Sequence, residues 1–288
     1  MHELIAAADT PIEDAVVEAL VSAVAPLGAA TRFAAAGQHG VRMTVADAGD
    51  RAAAVALRRT AQAAVGDRAL DLAVRAAGAP PPALVVMDMD STILSIEVID
   101  ELARRHGVGA AVAAITERAM RGELDFETSL RTRVRQLAGL SVAALDELAT
   151  ALPLSPGAAA LIAELRARGV VLAIASGGFT FAADTLRRDL GFAHAFANTL
   201  GIADGVLTGE VVGAVVTAER KAAVVDELRA RYHLAPAQIV AIGDGANDRA
   251  MLAAAGLGVA FRPKPALAAV ADAVISHGGL ERVLAFVG

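Results

Sequence analysis

The chain has 288 residues, a hydrophobic content of 56% and a net charge of −6, with no cysteine, no tryptophan and one tyrosine. This composition argues against nucleic-acid binding, which usually needs a basic field, and it excludes thiolate metal sites and thiol catalysis. No uninterrupted apolar run reaches the roughly 18 residues of a membrane span, and the first ten residues lack the features of a signal peptide. We therefore expect a soluble, cytoplasmic protein without a membrane partner.

Residues 1–78 form the first predicted unit, in which the element order is βαββαβ. The first helix is expected to start at Thr10 and Pro11, a cap followed by the first helical position. The predicted elements are a strand at 2–8, a helix at 10–28, a hairpin of strands at 31–37 and 40–47, a helix at 50–66 and a strand at 68–76. This order predicts a ferredoxin-like α+β domain, followed by a proline-rich linker at 79–83.

Residues 84–288 form the second predicted unit, of the α/β class. It begins with the short apolar strand Leu-Val-Val-Met, and the pattern from about 95 to 151 is only helical, which predicts a small helical insertion. From Ser155 onward strands and helices alternate, with an Asp-Gly hairpin inside 202–213. Such alternation predicts a Rossmann-like parallel sheet with helices on both faces.

Polar residues follow three of these strands directly, namely Asp88, Ser176 and Asp244. The carboxyl ends of the strands in such a sheet meet at one crevice. The acidic and amide side chains expected there are Asp88, Asp90, Asp244, Asn247 and Asp248. Because clustered carboxylates repel one another, they predict a hard divalent cation with oxygen ligands, Mg²⁺, of the kind that serves a phosphate.

Asp88 and Asp90 are two residues apart, so in an extended segment they project to the same side. One ionised carboxylate can attack phosphorus, while its protonated neighbour donates a proton to the departing oxygen. The alternative is that each aspartate caps a turn or a helix. The combination of Asp-x-Asp-x-Thr with Ser-Gly-Gly and Gly-Asp-Gly-x-Asn-Asp after two further strands favours catalysis.

The segments 88–92, 176–178 and 243–248, together with Lys221, resemble the four motifs of the haloacid dehalogenase (HAD) superfamily of phosphatases. Within it, segments 88–103 and 121–134 are similar to the phosphoserine phosphatase family. The resemblance implies hydrolysis of O-phosphoserine to serine and phosphate through an aspartyl phosphate, the last step of serine biosynthesis.

The same resemblance implies a role for each motif residue. Asp88 is the expected nucleophile and Asp90 the general acid and base, with Mg²⁺ on Asp88, the Asp90 backbone carbonyl and Asp244. The remaining residues implied are Ser176, Gly177 and Lys221 for the phosphate, Asn247 for the substrate, and Thr92, Gly178 and Asp248 in support. Two glycines before a helix N-terminus also leave N–H groups open to an anion.

Substrate choice is expected to lie in the helical insertion. Glu97 can bind the ammonium group of phosphoserine, and Arg133 can hold its carboxylate with two hydrogen bonds. Phe126 and Met120 can exclude water, and the insertion would close over the crevice as a lid. Without the resemblance, the pattern favours surface charges at Glu97 and Arg133 and a core position for Phe126.

Two other functions are left open. One is a HAD phosphatase or phosphotransferase that acts on another small phosphomonoester, and the other is a catalytically idle amino acid sensor. The N-terminal order is similar to ACT regulatory domains, which bind amino acids and pair with one another. This resemblance implies a homodimer and serine as an inhibitor.

Overall fold

The computed structural model of the chain describes residues 1–24, 27–35, 37–45 and 49–288. Parts of three predicted elements lie outside the described residues, namely 25–26 of the first helix and 36 and 46–47 of the hairpin strands. The first helix is shorter than predicted. It begins at Asp14, after the extended residue Glu13, and not at Thr10 and Pro11, and Leu27, expected near its end, already belongs to the next strand.

The strands of the described residues begin and end as follows: β1 (His2–Ala8), β2 (Leu27–Ala35), β3 (Gln38–Val45), β4 (Asp71–Ala76), β5 (Leu84–Met87), β6 (Val171–Phe179), β7 (His194–Ala203), β8 (Val206–Val212), β9 (Ile239–Gly243), β10 (Leu257–Phe261) and β11 (Ala273–Ile275). The α-helices are α1 (Asp14–Ala23), α2 (Arg51–Val65), α3 (Val98–Arg105), α4 (Gly109–Met120), α5 (Phe126–Arg135), α6 (Val142–Ala149), α7 (Ala158–Ala167), α8 (Thr180–Leu190), α9 (Ala218–Arg231), α10 (Arg249–Ala254), α11 (Pro265–Ala268) and α12 (Val283–Val287).

The N-terminal segment has the predicted βαββαβ order, in an antiparallel sheet ordered β2-β3-β1-β4. Alternate residues of β1 face opposite sides, as in any strand. Leu4 packs with Leu20 of α1 and Ala61 of α2, whereas Ile5 on the other face belongs to the large core that includes the C-terminal helix α12. Both faces of this small sheet are therefore covered at its inner strand β1.

The prediction of a parallel sheet is correct for only part of the observed sheet, which is mixed. Strands β11, β10, β9, β5, β6 and β7 are parallel neighbours, but β8 at one end is antiparallel to β7. At the other end β4 pairs antiparallel with β11, with Ala73 opposite Ala273, so that one sheet runs through both predicted units. This pairing gives hydrogen-bond partners to one edge strand of each smaller sheet. Without it, the backbone groups of these two strands would be unpaired along that edge.

Two arginines of α2 form hydrogen bonds between the N-terminal segment and the rest of the chain. Arg51 donates to Asp272 Oδ1 at 2.9 Å and to the backbone carbonyl oxygens of Leu252 and Ala253 at 2.8 and 2.7 Å. Arg58 is buried, and its Nε donates to the carbonyl oxygen of Ala271 at 3.1 Å. Burial lowers the pKa of Arg58 to about 10, against the charge of the nearby Asp272 carboxylate.

The segment between β5 and α7 contains α3, α4, α5 and α6, in agreement with the predicted helical pattern. The predicted hairpin is also present, since β7 and β8 pair on either side of the turn at Asp204 and Gly205. Both lie near the carboxyl ends of the parallel strands, and α5 contacts β8. No helix among the described residues is both long enough and apolar enough to cross a lipid bilayer.

We expect Arg51→Ala to lower the free energy of unfolding by about 2 kcal/mol, because it leaves the buried Asp272 carboxylate without its closest cation. Denaturant titration would measure this loss. Arg59→Ala, on the exposed face of the same helix, is the matched control and should change stability by less than about 0.5 kcal/mol. Equal losses in the two variants would contradict a specific role for Arg51.

Candidate active site

A cavity of about 490 Å³ opens at the carboxyl ends of β5, β6 and β9, beneath helices α4 and α5. Most of the residues expected from the sequence line it. They are Asp88, Asp90, Glu97, Met120, Phe126, Arg133, Ser176, Gly177, Gly178, Asp244 and Asn247. Three more, Lys221, Asp248 and Thr92, are not in its wall but are buried, and the first two lie directly behind Asp88.

The chain turns sharply after β5. Asp88 is extended and its Oδ1 accepts the N–H of Met89 at 2.7 Å, while Ser91 has a left-handed backbone with φ of 57°. Such a conformation is uncommon outside glycine. Ser91 N–H donates to the carbonyl oxygen of Ile96 at 3.1 Å, which closes the turn. The turn keeps Asp88 and Asp90 in the wall of the same cavity.

Lys221 is buried between two carboxylates. Its Nζ lies 2.7 Å from Asp88 Oδ2 and 2.8 Å from Asp248 Oδ1. Burial disfavours the ammonium charge, but the two carboxylates outweigh it and raise the pKa of Lys221 above its ordinary value. The neighbouring Arg220 instead pairs with Glu227 on the exposed side of α9. Lys221 and Arg220 are neighbours in the sequence, but in the structure only Lys221 contacts Asp88.

Asp88, Asp244 and Asp248 form one carboxylate cluster. Each offers an oxygen that lies within 4.8 Å of those of the other two. Asp248 is already engaged, because its Oδ2 accepts the N–H groups of Asp244 and Gly245, both at 3.1 Å. Asp88 and Asp244 are therefore the members that face the cavity and are close enough to hold one ion.

The charges of this cluster are incompletely balanced. Burial, followed by the charges of Asp88 and Asp248, raises the pKa of Asp244 to about 7. Burial and the charge of Asp88 raise the pKa of Asp248 to about 6. Carboxylates that resist ionisation in this way fit a hard cation with oxygen ligands, which would restore their charged form. The residues present suit a divalent metal ion.

Asp90 differs from Asp88 in its surroundings. Burial, and then the negative charges of Glu97 and Asp88, raise the pKa of Asp90 well above its usual range. Its Oδ1 is inaccessible to solvent and has no hydrogen-bond partner among the described residues. A carboxyl group of this kind stays protonated near neutral pH and can donate a proton.

The carboxyl end of β6 approaches Asp90 and the helical insertion closely. The strand runs to Phe179, so Ser176 lies within its last residues and not directly after it, as the sequence predicted. Ser176 is buried, and its Oγ accepts the N–H of Gly178 at 2.9 Å. A Cβ atom at Gly178 would lie 2.7 Å from Asp90 Oδ2, and one at Gly177 would lie 2.8 Å from the ring of Phe126. A larger residue at either position would have to displace one of these side chains. Helix α8 begins two residues after Gly178, where N–H groups favour an anion.

The residues expected to select the substrate lie in the upper wall. Glu97 is held by Ser91, whose Oγ donates to Glu97 Oε1 at 2.8 Å. The Nε of Arg133 is buried without a hydrogen-bond partner among the described residues. Burial lowers the pKa of Arg133, opposed by the charges of Asp100 and Glu97. Met120 and Phe126 are exposed, so Phe126 is a wall residue and not a core residue.

Asn198 was not expected from the sequence. It is buried, donates to the carbonyl oxygen of Gly177 at 2.7 Å and accepts the N–H of Val216 at 2.8 Å. It thereby joins the carboxyl end of β6 to the segment that leads into α9 and Lys221. No motif marks Asn198, because both of its partners are distant in the sequence.

Further wall residues were also missed, among them Asp100, Ser129 and Lys264. Lys264 follows β10, and its N–H donates to the carbonyl oxygen of Asp244 at 3.1 Å. Lys264 comes shortly after a parallel strand. A polar residue after a parallel strand is the pattern that predicted Asp88 and Asp244 as site residues. The Oγ of Ser129 is buried without a partner among the described residues.

Comparison with known proteins gives one family and several relatives. Residues 82–256 match the model of the haloacid dehalogenase-like hydrolase family. The chain is 49% identical over 203 residues to the phosphoserine phosphatase of Vibrio cholerae and 46% identical over 197 residues to that of Archaeoglobus fulgidus. These matches cover 70% and 68% of this chain but only 62% and 57% of the two relatives.

A solved structure is also similar over almost the whole chain. The unliganded crystal structure of a probable phosphoserine phosphatase from Vibrio cholerae matches with a TM-score of 0.81 and 37% identity. The match covers 99% of this chain and 86% of that one.

We expect the carboxylate cluster to bind Mg²⁺ about tenfold more weakly at pH 6 than at pH 8. The pKa of Asp244 is about 7 without the ion, so protons occupy this ligand at the lower pH and compete with the metal. Titration calorimetry at both pH values would measure this. Asp244→Asn should remove the pH dependence and weaken binding, whereas Asp226→Asn, on the exposed face of α9, should do neither. Unchanged affinity in Asp244→Asn would contradict the assignment.

Proposed function

Because this chain belongs to the haloacid dehalogenase-like hydrolase family, we propose that it is a phosphoserine phosphatase, which hydrolyses O-phosphoserine to serine and phosphate. The observation that carries the proposal is the pair of unlike carboxyl groups in one cavity. Asp88 is paired with Lys221 at 2.7 Å, whereas the pKa of Asp90 is raised well above its usual range by burial and by nearby negative charge. One group is suited to attack and the other to donate a proton.

The reaction follows from this difference. A carboxylate oxygen of Asp88 attacks phosphorus and forms the aspartyl phosphate as the bond to the seryl oxygen breaks. Asp90 gives its proton to that oxygen, since an alkoxide is a poor leaving group. Asp90, now ionised, takes a proton from water, which attacks the aspartyl phosphate and releases phosphate. Lys221 keeps its charge throughout and offsets the negative charge beside Asp88.

A divalent cation on Asp88 and Asp244, Mg²⁺ in our proposal, would neutralise phosphate charge when bound. The phosphate would lie against the carboxyl end of β6, where Ser176 and the N–H of Gly177 would serve as donors. Asn247 would support the substrate from the opposite wall. Asp248 would position Lys221 and the turn at Asp244. Its three hydrogen bonds, from Lys221 and from the N–H groups of Asp244 and Gly245, support this role.

The wall under α4 and α5 fits the two charges that phosphoserine carries besides its phosphate. Glu97, fixed by Ser91, would bind the ammonium group. Arg133, which has an unpartnered buried Nε, would bind the carboxylate. Phe126 and Met120 would exclude water, with the helical insertion acting as the lid of the cavity.

The nucleophile is tested by Asp88→Asn, which keeps the shape of the side chain but removes its nucleophilic oxygen. We expect the variant to fold and to lose at least about 10³-fold in kcat. Phosphate release from phosphoserine with Mg²⁺ present would measure the loss, and circular dichroism would verify folding. Turnover at the wild-type rate would exclude the mechanism.

The second role is tested by Asp90→Asn with p-nitrophenyl phosphate. This substrate has a good leaving group that needs no proton, so the first step should proceed while hydrolysis of the aspartyl phosphate is slow. Rapid-mixing measurements should therefore give a burst of p-nitrophenol close to one per enzyme, followed by a slow phase. A steady rate equal to that of the wild type would contradict the role of Asp90 as base.

The substrate is tested by Arg133→Ala against two phosphomonoesters. O-Phosphoethanolamine lacks the carboxylate of phosphoserine but retains the ammonium group. We expect the variant to raise KM about 10²-fold for phosphoserine, and to leave the KM for phosphoethanolamine nearly unchanged. Equal effects on both substrates, or a wild-type preference for a phosphomonoester without an amino acid group, would favour another substrate.

For residues 1–78 we propose an ACT-like regulatory domain that forms a homodimer and binds serine, in a cytoplasmic enzyme of serine biosynthesis. The βαββαβ order and the antiparallel order β2-β3-β1-β4 support this. We expect a dimer in sedimentation at micromolar concentration and a calorimetric signal with serine that persists in Arg133→Ala. A monomer would contradict the pairing, and loss of the signal in that variant would place serine in the catalytic cavity.

A further inference from the structure

A second cavity, of about 450 Å³, lies between helix α2, helix α10 and the segment that follows α11. It shares no lining residue with the active-site cavity. Its wall is contributed by both predicted units, since α2 belongs to residues 1–78 and the rest of the wall to residues 84–288. Its volume is within the range that holds a small molecule.

The wall of this cavity carries an excess of positive charge. Arg51, Arg59 and Arg249 line it, and no acidic residue does so among those described. The charge of Arg51 is balanced by Asp272. Arg59 and Arg249 are exposed and form no ion pair with any residue that the structure describes. Two guanidinium groups are therefore available to an anion, and such groups bind carboxylate or phosphate with paired hydrogen bonds.

The rest of the wall is apolar. It consists of Ala52, Val55, Ala56, Leu252, Ala253, Ala269 and Val270. Apolar side chains with a few polar groups at one place are typical of small-molecule sites, in which the apolar wall contributes area and the polar groups fix the orientation. An occupant with an anionic head and an aliphatic body would match both parts of this wall.

The cavity is also held in shape by contacts that do not need an occupant. Arg51 donates to three backbone carbonyl oxygens in or next to α10, at Leu252, Ala253 and Ala255. Arg58, one turn from Val55 on α2, donates to the carbonyl oxygen of Ala271 just after α11. These bonds fix α2 against the other two helices, so the ligand would not have to order the wall.

We propose that this cavity is a binding site for a small organic anion, in which Arg59 and Arg249 hold a carboxylate or phosphate group and the apolar wall of α2, α10 and the segment after α11 holds an aliphatic body. The site is independent of the proposed phosphatase reaction, since none of its residues takes part in that reaction.

Titration calorimetry with isocaproate, its uncharged amide and isoamyl phosphate tests the proposal. We expect saturable binding of isocaproate or isoamyl phosphate, at one per chain, and none of the amide. The preferred anion then identifies the head group as carboxylate or phosphate. Arg59→Gln and Arg249→Gln should each weaken binding about tenfold. Arg188→Gln, on the exposed face of α8, is the matched control and should have no effect.

Two further variants locate the ligand. Ala56→Trp would fill the cavity from an exposed position on α2 and should abolish binding. Arg133→Ala changes only the active-site cavity and should leave binding intact, whether or not the chain hydrolyses phosphoserine. The proposal is overturned if neither anion binds, if the amide binds equally well, or if Arg133→Ala abolishes binding while Arg59→Gln does not.

Discussion

The buried ammonium group of Lys221 is the interaction on which the catalytic arrangement depends. It lies 2.7 Å from Asp88 and 2.8 Å from Asp248, and so joins the segment after β5 to the turn after β9. Without this cation, three carboxylates would share one small volume, and the repulsion between them would favour protonation or separation. Asp248 then holds the backbone N–H groups of Asp244 and Gly245, so that one charge network positions two strand ends.

The candidate site is built from two layers, the sheet and the helical insertion. The parallel strands deliver Asp88, Ser176 and Asp244 to the floor of the cavity, where the sheet fixes their spacing. The helical insertion supplies the opposite wall, including Arg133, from a part of the chain that is not in the sheet. Because the two layers are separate, a change in the wall need not move the strand ends, which is why residues of the insertion carry our proposal for the substrate.

The N-terminal segment is joined to this arrangement more closely than a proline-rich linker suggests. The pairing of β4 with β11 makes one sheet of the two predicted units, and the arginines of α2 bind to carbonyl oxygens near α10 and α11. A buried pair of Arg282 with Asp71 adds a further connection. A domain held in this way would not move freely on its linker, and the cavity beside α2 exists because of this fixed contact.

The sequence by itself determined most of the helical and strand elements, the βαββαβ order and the convergence of Asp88, Asp90 and Asp244. These follow from local periodicity and from the rule that parallel strands present their carboxyl ends at one edge. Only the tertiary structure decided the remaining points, among them the β4–β11 pairing, the bridging role of Asn198 and the pairing of Lys221 with both Asp88 and Asp248. Each of these depends on partners that are distant along the chain, and neither spacing nor composition records which distant groups meet.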